Sequence, residues 1–261
     1  MINRKNVIFP SDDDEMKLFV SKACDLYNRA ESSGRSFFTR FLTPLEQKII
    51  LDRFPKNGVD IDFWGGYDGS ERNMARFSSA QYDYNYDEPY PACALVIARK
   101  SKEVFSHRDY LGSVLALGIK REMIGDIVIR ESDAVVFCVE EIASYVEDNL
   151  FKIGHDSVTV RREDCIENLE IKREFEEISL TVSSMRADCI VSALCNVSRS
   201  GASELIERGL VTLNYEVLTS NSRIAGADDV ISVRGKGKFK IGSDSKPTRK
   251  GRIHINAFRY V

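Results

Sequence analysis

The residues of this 261-residue sequence best equipped for chemistry are cations in regular spacing. Between Val233 and Arg252 stand Arg234, Lys236, Lys238, Lys240, Lys246, Arg249, Lys250 and Arg252, eight bases against Asp244 alone, a balance of +7. In Arg234-Gly235-Lys236-Gly237-Lys238-Phe239-Lys240 the bases alternate with small or aromatic residues. Successive side chains of a strand point to opposite faces, so on a strand Arg234 and the three lysines would form one charged stripe. Residues 181–261 as a whole carry 13 Lys+Arg against 7 Asp+Glu, or +6, whereas residues 1–180 carry 24 against 33, or −9. The net charge of −3 therefore conceals a segregated chain whose C-terminal part suits a polyanion.

A second anion site is written further upstream. Ser198-Arg199-Ser200 opens a segment in which Ala202, Leu205 and Ile206 recur at helical spacing as far as Gly209. A helix starting there presents backbone amides and the positive end of its dipole, with Arg199 beside them. Arg186 can reach the same anion from the preceding helix, and Ser198 and Ser200 can cap the helix without losing that role. Two basic pairs nearer the middle of the chain, His107-Arg108 and Lys120-Arg121, form a weaker second patch.

Catalytic arrangements are harder to find. His107-Arg108-Asp109 has the form of a kinase catalytic loop, but no Gly-rich phosphate loop, no Asp-Phe-Gly and no Asn at the required offset accompany it. A carboxylate in the first turn of a helix is the simpler role for Asp109. Asp68, Glu71 and Arg72 suit a structural ion-pair cluster at a domain junction, and His155 and His254 are isolated. The cysteines at 24, 93, 138, 165, 189 and 195 include no Cys-x-x-Cys pair, and three histidines give little help with a metal. Buried thiols without a disulfide, no metal, no cofactor and no catalytic residue are the expectation.

These residues need elements to position them. Thr43-Pro44-Leu45-Glu46 is a capping box with proline in the first turn, and Ser11 before Asp12-Asp13-Asp14-Glu15 is another helix start, so the first 60 residues read as helices. Phe63-Trp64-Gly65-Gly66-Tyr67-Asp68-Gly69-Ser70-Glu71-Arg72 breaks every period and reads as an aromatic loop. Strand patterns over 94–98, 127–129, 134–139 and 157–161, with helical patterns over 108–117 and 140–151, give the order βαββαβ of a ferredoxin-like unit, an architecture shared by many RNA-binding modules. One more strand or connector over 178–182 leads to a small α/β unit: helices over 186–194 and from 198 to 209, then strands over 210–213, 215–218 and 230–233. The fold class is α+β, with a helical region over 1–75, a ferredoxin-like, RRM-like domain over 76–180 and a third unit over 181–261.

Arg186-Ala187-Asp188, Ser198-Arg199-Ser200-Gly201-Ala202, Leu205-Ile206, Gly209-Leu210-Val211-Thr212-Leu213-Asn214 and Asp228-Asp229-Val230-Ile231-Ser232-Val233-Arg234-Gly235 together resemble an S4 RNA-binding domain. Two positions depart from it: Tyr215 stands where many S4 domains have glycine, and Gly201 where a basic residue is common. The aromatic loop, with His107-Arg108-Asp109-Tyr110-Leu111-Gly112 and Gly118-Ile119-Lys120-Arg121-Glu122-Met123-Ile124-Gly125-Asp126-Ile127, extends the resemblance to the YlmH family of bacterial S4 proteins. That resemblance implies a non-enzymatic protein that binds rRNA and tRNA on the large ribosomal subunit and assists ribosome quality control at stalled peptidyl-tRNA, with a link to cell division. Arg186, Ser198, Arg199, Ser200, Asn214, Arg234, Lys236, Lys238 and Lys240 are the expected RNA contacts. Two alternatives stay open, an rRNA-modifying enzyme of the pseudouridine synthase kind and a cell-division scaffold. The first is disfavoured because the leucine of the His-Arg-Leu-Asp phrase is missing and the S4 unit comes last.

Composition bounds the setting. Hydrophobic residues make up 43% of the chain, enough for packed cores. The longest uncharged stretches, Pro89–Ala98, Tyr110–Ile119 and Cys189–Ser198, are ten residues each, against the roughly 18 a spanning helix needs. The N-terminus reaches its acidic run without an apolar signal core, so a cytoplasmic monomer without a membrane segment is expected.

Overall fold

The computed structural model describes residues 14–55, 58–79, 88–101, 103–163, 166, 169, 171, 175–248 and 251–260. The helix start at Ser11, Cys165, Arg249 and Lys250 lie outside the described residues. The protein is a mixed helix-and-sheet structure of two compact units, Met1–Ile171 and Lys172–Val261.

The first unit begins with helix α1 (Asp14–Ser33), which buries Val20, Ala23, Cys24, Tyr27 and Ala30 along one side at helical spacing. Strand β1 (Phe37–Phe38) and helix α2 (Pro44–Arg53) follow. The capping box forms as anticipated: Thr43 Oγ1 accepts from the Glu46 amide at 3.3 Å, and the Thr43 amide donates to the Glu46 carboxylate at 2.6 Å. The region is not all helical, however. Strands β2 (Val59–Trp64) and β3 (Met74–Ser79) join β1 in an antiparallel sheet of order β1-β3-β2. Phe63 and Trp64, expected in a loop, end β2, since aromatic residues in the alternating run Val59-Asp60-Ile61-Asp62-Phe63-Trp64 favour a pleated strand and the irregular backbone starts only at Gly65.

The same unit continues with β4 (Ala92–Arg99), α3 (His107–Leu115), β5 (Ile124–Ile129), β6 (Asp133–Val139), α4 (Ala143–Asn149), the short β7 (Lys152–Ile153) and β8 (Asp156–Glu163). The sheet order is β5-β6-β4-β8-β7, antiparallel throughout, which is the ferredoxin-like split βαβ with one short strand added. One face, with Leu95, Ile97, Val136 and Cys138, packs on Tyr110 and Val114 of α3 and Val146 of α4. The other face, with Ala94, Val96, Val135 and Phe137, is covered by Phe41, Met74, Tyr67 and Leu169. The region before residue 75 thus shares a core with the ferredoxin-like part, and the boundary expected at 75/76 lies inside one compact unit.

The second unit comprises β9 (Phe175–Val182), α5 (Ala187–Cys195), α6 (Arg199–Glu207), β10 (Val211–Leu213), β11 (Glu216–Val217), β12 (Val230–Val233), β13 (Gly237–Pro247) and β14 (Ile253–Tyr260). They form a six-stranded sheet of order β11-β10-β12-β13-β14-β9. Strand β9 pairs with β14 along its whole length, so this unit starts at Lys172 and not at 181. Helices α5 and α6 cover one face through Ile190, Val191, Ala202 and Ile206, against Val211, Ile231, Val233, Ile241 and Ile255.

Candidate nucleic-acid interface

The N-terminal ends of α5 and α6 bring Arg186 and Arg199 to one carboxylate. Asp188, only 3% exposed, accepts from Arg186 Nε at 3.1 Å and Nη2 at 3.0 Å, from Arg199 Nε at 3.0 Å and from the Cys189 amide at 2.9 Å. The donation from Arg186, then that from Arg199, holds the Asp188 carboxyl down to about 2. Two guanidinium groups sharing one carboxylate keep a surplus positive charge, and their side chains are locked by a buried partner while reaching solvent. The pair stands beside the start of α6, where Ser198 Oγ accepts from the Gly201 amide at 3.1 Å and contacts Ser200 Oγ at 2.9 Å. The first amides of a helix have no partner inside it, so this corner can hold a phosphate between fixed cations and a dipole end. The loop after β11 packs on the same corner: the Ala187 amide donates to the Arg223 carbonyl at 2.7 Å, which brings exposed Arg223 alongside. Neither Asp188 nor Arg223 stands out in the sequence, because only folding makes one the shared acceptor and the other its neighbour.

The basic run after Val233 is arranged differently from a single stripe. Arg234 and Lys236 lie, exposed, in the turn between β12 and β13, with Gly235 at φ +78° and Gly237 at φ +129°. Those positive φ values break the alternation that an extended strand would need, and the glycines tolerate them. Of the four bases from Arg234 to Lys240, only Lys238 and Lys240 belong to β13, on the face opposite buried Phe239. Lys240 pairs with Asp228 at 2.9 Å, and the Lys238 ammonium lies 4.7 Å from the Tyr215 ring centre and 4.6 Å from that of Tyr260.

Asn214 is committed inside the protein. Its amide nitrogen donates to Asp229 Oδ1 at 2.7 Å and its oxygen accepts from the Val230 amide at 2.9 Å. Asn214 at φ 49° and Tyr215 at φ 68° make the two-residue turn from β10 to β11, a geometry in which glycine is usual at the second position. Tyr215 takes that costly conformation with its ring over Lys238.

In the first unit, Asp109 is a capping residue: its carboxylate accepts from the Ser106 amide at 2.8 Å and hydroxyl at 2.7 Å. His107 and Arg108 follow that cap at the start of α3, exposed, and Lys120 is exposed before a single 3-10 turn. Crowding on its inner side, then the charge of Arg121, pushes the His107 pKa below its ordinary value. Arg121 itself is half-buried, donating to the carbonyls of Ile124 at 2.5 Å and Gly125 at 3.3 Å, and burial followed by repulsion from Arg72 lowers it to about 10.

Arg72 belongs to the glycine-rich loop, which docks on Asp126 of β5. Asp126, 6% exposed, accepts from the Tyr67 hydroxyl at 2.8 Å, the Glu71 amide at 2.7 Å and the Arg72 amide at 3.1 Å. Arg72 donates to the Ile124 and Phe41 carbonyls, and Tyr67 stacks on Phe137 with ring centres 5.1 Å apart. What anchors the loop is Asp126, through the Tyr67 hydroxyl and the Glu71 and Arg72 amides, where an ion-pair cluster of Asp68, Glu71 and Arg72 was expected. Tyr67 therefore lies over the middle of the sheet face on which RRM-type modules stack bases. Among the described residues there is no group of three potential metal ligands and no helix long and apolar enough to cross a membrane.

Comparison with known proteins agrees with this organisation. Residues 94–167 match the family described as "Putative RNA-binding domain in YlmH", and residues 185–231 match the S4 domain. The chain is 29% identical over 241 residues to the "Ribosome-associated protein quality control protein P2" of Bacillus subtilis (strain 168), an alignment covering 92% of this chain and 93% of that one. Among solved structures it is similar to "Cell division protein ylmH from Streptococcus pneumoniae" at 20% identity and a TM-score of 0.49, over 62% of this chain and 99% of that chain. The order of this chain is thus a YlmH-type RNA-binding domain followed by an S4 domain, as the resemblance to the YlmH family implies.

Proposed function

We propose that this protein is a non-enzymatic, cytoplasmic RNA-binding factor of the ribosome that grips structured rRNA or tRNA on the large subunit while stalled peptidyl-tRNA is handled. The observation that carries the proposal is the Arg186–Asp188–Arg199 arrangement at the start of α6, inside the segment matching the S4 domain. Two guanidiniums fixed by a buried carboxylate are suited to successive phosphates of a folded backbone, since little side-chain freedom remains to be lost on binding. Arg234 and Lys236 on their exposed turn, and Arg223 beside Arg186, extend the positive surface. The ribosomal setting comes from the name of the Bacillus subtilis relative and from its match along nearly the whole chain.

Binding of the full chain to a structured RNA hairpin tests this. If about five phosphates are neutralised, log affinity falls against log salt with a slope near −4 to −5. Arg199→Ala should weaken binding about tenfold and reduce the slope by about one, with the RNA recovered chemically unchanged. A salt-independent affinity, or a converted nucleotide in the recovered RNA, would overturn the proposal.

A further inference from the structure

The six-stranded sheet of the second unit has a second face that α5 and α6 do not cover. Along β14, Ile255 and Ala257 are fully buried in the core, so His254, Asn256, Phe258 and Tyr260 point the other way. The register carries that face across the strands. Tyr260 lies opposite Phe175 of β9, Phe258 opposite Lys240 of β13, and Lys238 opposite Ser232 of β12. At one end of the sheet the aromatic side chains meet. The Phe175 ring is 5.1 Å from Tyr260 and 6.4 Å from Phe258, both edge-on, and the Lys238 ammonium sits between Tyr260 and Tyr215. Phe175 is 45% exposed, although it belongs to a strand whose Leu180 and Val182 turn toward the core.

We infer that this aromatic face, Phe175, Phe258, Tyr260 and Tyr215 with Lys238 and Lys240, is a platform for unpaired nucleotides of RNA, distinct from the phosphate-gripping corner at Arg186 and Arg199. The inference rests on the RNA-binding function proposed above and names the form of RNA this second surface takes. A duplex hides the faces of its bases, and aromatic rings have nothing to stack on there. A single strand exposes both base faces and backbone, and rings interleaved with ammonium groups match the two together. Charge favours the same partner: Lys238, Lys240 and Lys246 share the face with Glu177 of β9 and with Asp228, which pairs with Lys240, and the Arg234–Lys236 turn leads into β13.

The test compares two probes on the full chain: a fluorescent single-stranded oligonucleotide of about ten residues and a fully paired hairpin with a short stable loop. Phe175→Ala combined with Tyr260→Leu should weaken the single-stranded probe about tenfold or more and leave the hairpin within about twofold, whereas Arg199→Ala should do the reverse. Tyr260→Phe alone should keep the affinity for the single strand, since stacking needs the ring and not the hydroxyl. Phe175→Ala alone, at an exposed position, keeps the comparison usable if the double variant unfolds, and should cost the single strand about threefold or more while sparing the hairpin. A wild-type protein that ignores the single strand while holding the hairpin would overturn this inference and leave the proposed function standing. Equal losses on both probes, or self-association of the protein that the aromatic variants abolish, would also overturn it. Loss of hairpin binding in the wild type would instead remove the proposed function.

Discussion

Strands β4 and β14 are both eight residues long and both lie inside antiparallel sheets, yet they are built oppositely. β4 reads Ala92-Cys93-Ala94-Leu95-Val96-Ile97-Ala98-Arg99, apolar at every position but the last, and both faces of its sheet are covered, by helices on one side and by Phe41, Met74 and Tyr67 on the other. β14 reads Ile253-His254-Ile255-Asn256-Ala257-Phe258-Arg259-Tyr260, with apolar residues toward the helices and His254, Asn256, Phe258 and Tyr260 on the other side. A continuous apolar run marks a sheet buried twice, and alternation marks one buried once. The ferredoxin-like sheet, covered on both faces, leaves no open face on which a ring could stack, whereas the sheet of the C-terminal unit has one face without helices.

The largest effect that would break this contrast is at the sealed face. Phe137→Ala should destabilise the first unit by about 3–5 kcal/mol, because it empties the site under Tyr67, whereas Phe258→Ala on the other sheet should cost no more than about 1 kcal/mol. Similar losses in chemical unfolding would mean that both sheets are buried alike. Next comes the anchor of the covering loop. Asp126→Ala should cost about 3 kcal/mol, since it strands the Tyr67 hydroxyl and two backbone amides, and near-ultraviolet dichroism should report the release of Tyr67.

A smaller effect belongs to acid. The Asp188 carboxyl is held near 2, against an ordinary value of 3.8, so its folded pKa is depressed. The stability this contributes is complete above about pH 4 and is lost as pH falls through 2, a change of about 2 kcal/mol in the second unit. Unfolding measured from pH 5 to 2 should show this slope in the natural protein and a flatter one in Asp188→Asn. The smallest effect separates two neighbours of the central patch. Lys120→Ala should stay within about 0.5 kcal/mol, while Arg121→Ala, which frees the Ile124 and Gly125 carbonyls, should cost about 1–2 kcal/mol.

What could be seen in advance followed from local rules. The Thr43 capping box, the βαββαβ order and the helix start at Ser198 depend on residues within a few positions of one another, and all three formed as the sequence indicated. The three-stranded sheet near the N-terminus was hidden, because β2 and β3 become strands only by pairing across the loop that joins Trp64 to Met74. The single stripe from Arg234 to Lys240 is broken for a local reason: Gly235 and Gly237 permit a turn as readily as a strand. The role of Asp188 was out of reach, since nothing in its neighbours shows that Arg199, eleven residues on, folds back to share it. The grouping of Phe175 with Tyr260 was equally hidden, for it depends on a register between strands at opposite ends of the second unit.

That last pairing also sets an order of events during synthesis. Val182 must wait for Ile253, 71 residues later, and Phe175 for Tyr260, 85 residues later, so the outer edge of the sheet stays open until β14 has emerged. Contacts of such separation form late and slowly, and an unpaired strand with an exposed phenylalanine is adhesive meanwhile. Glu176 and Glu177, on the two faces of β9 next to Phe175, repel a second copy of the same strand while the first waits for its partner. Once β14 arrives, both are claimed, by Arg259 at 3.6 Å and Asn256 at 3.0 Å, so two charges that guard a nascent edge end as the pins that close it.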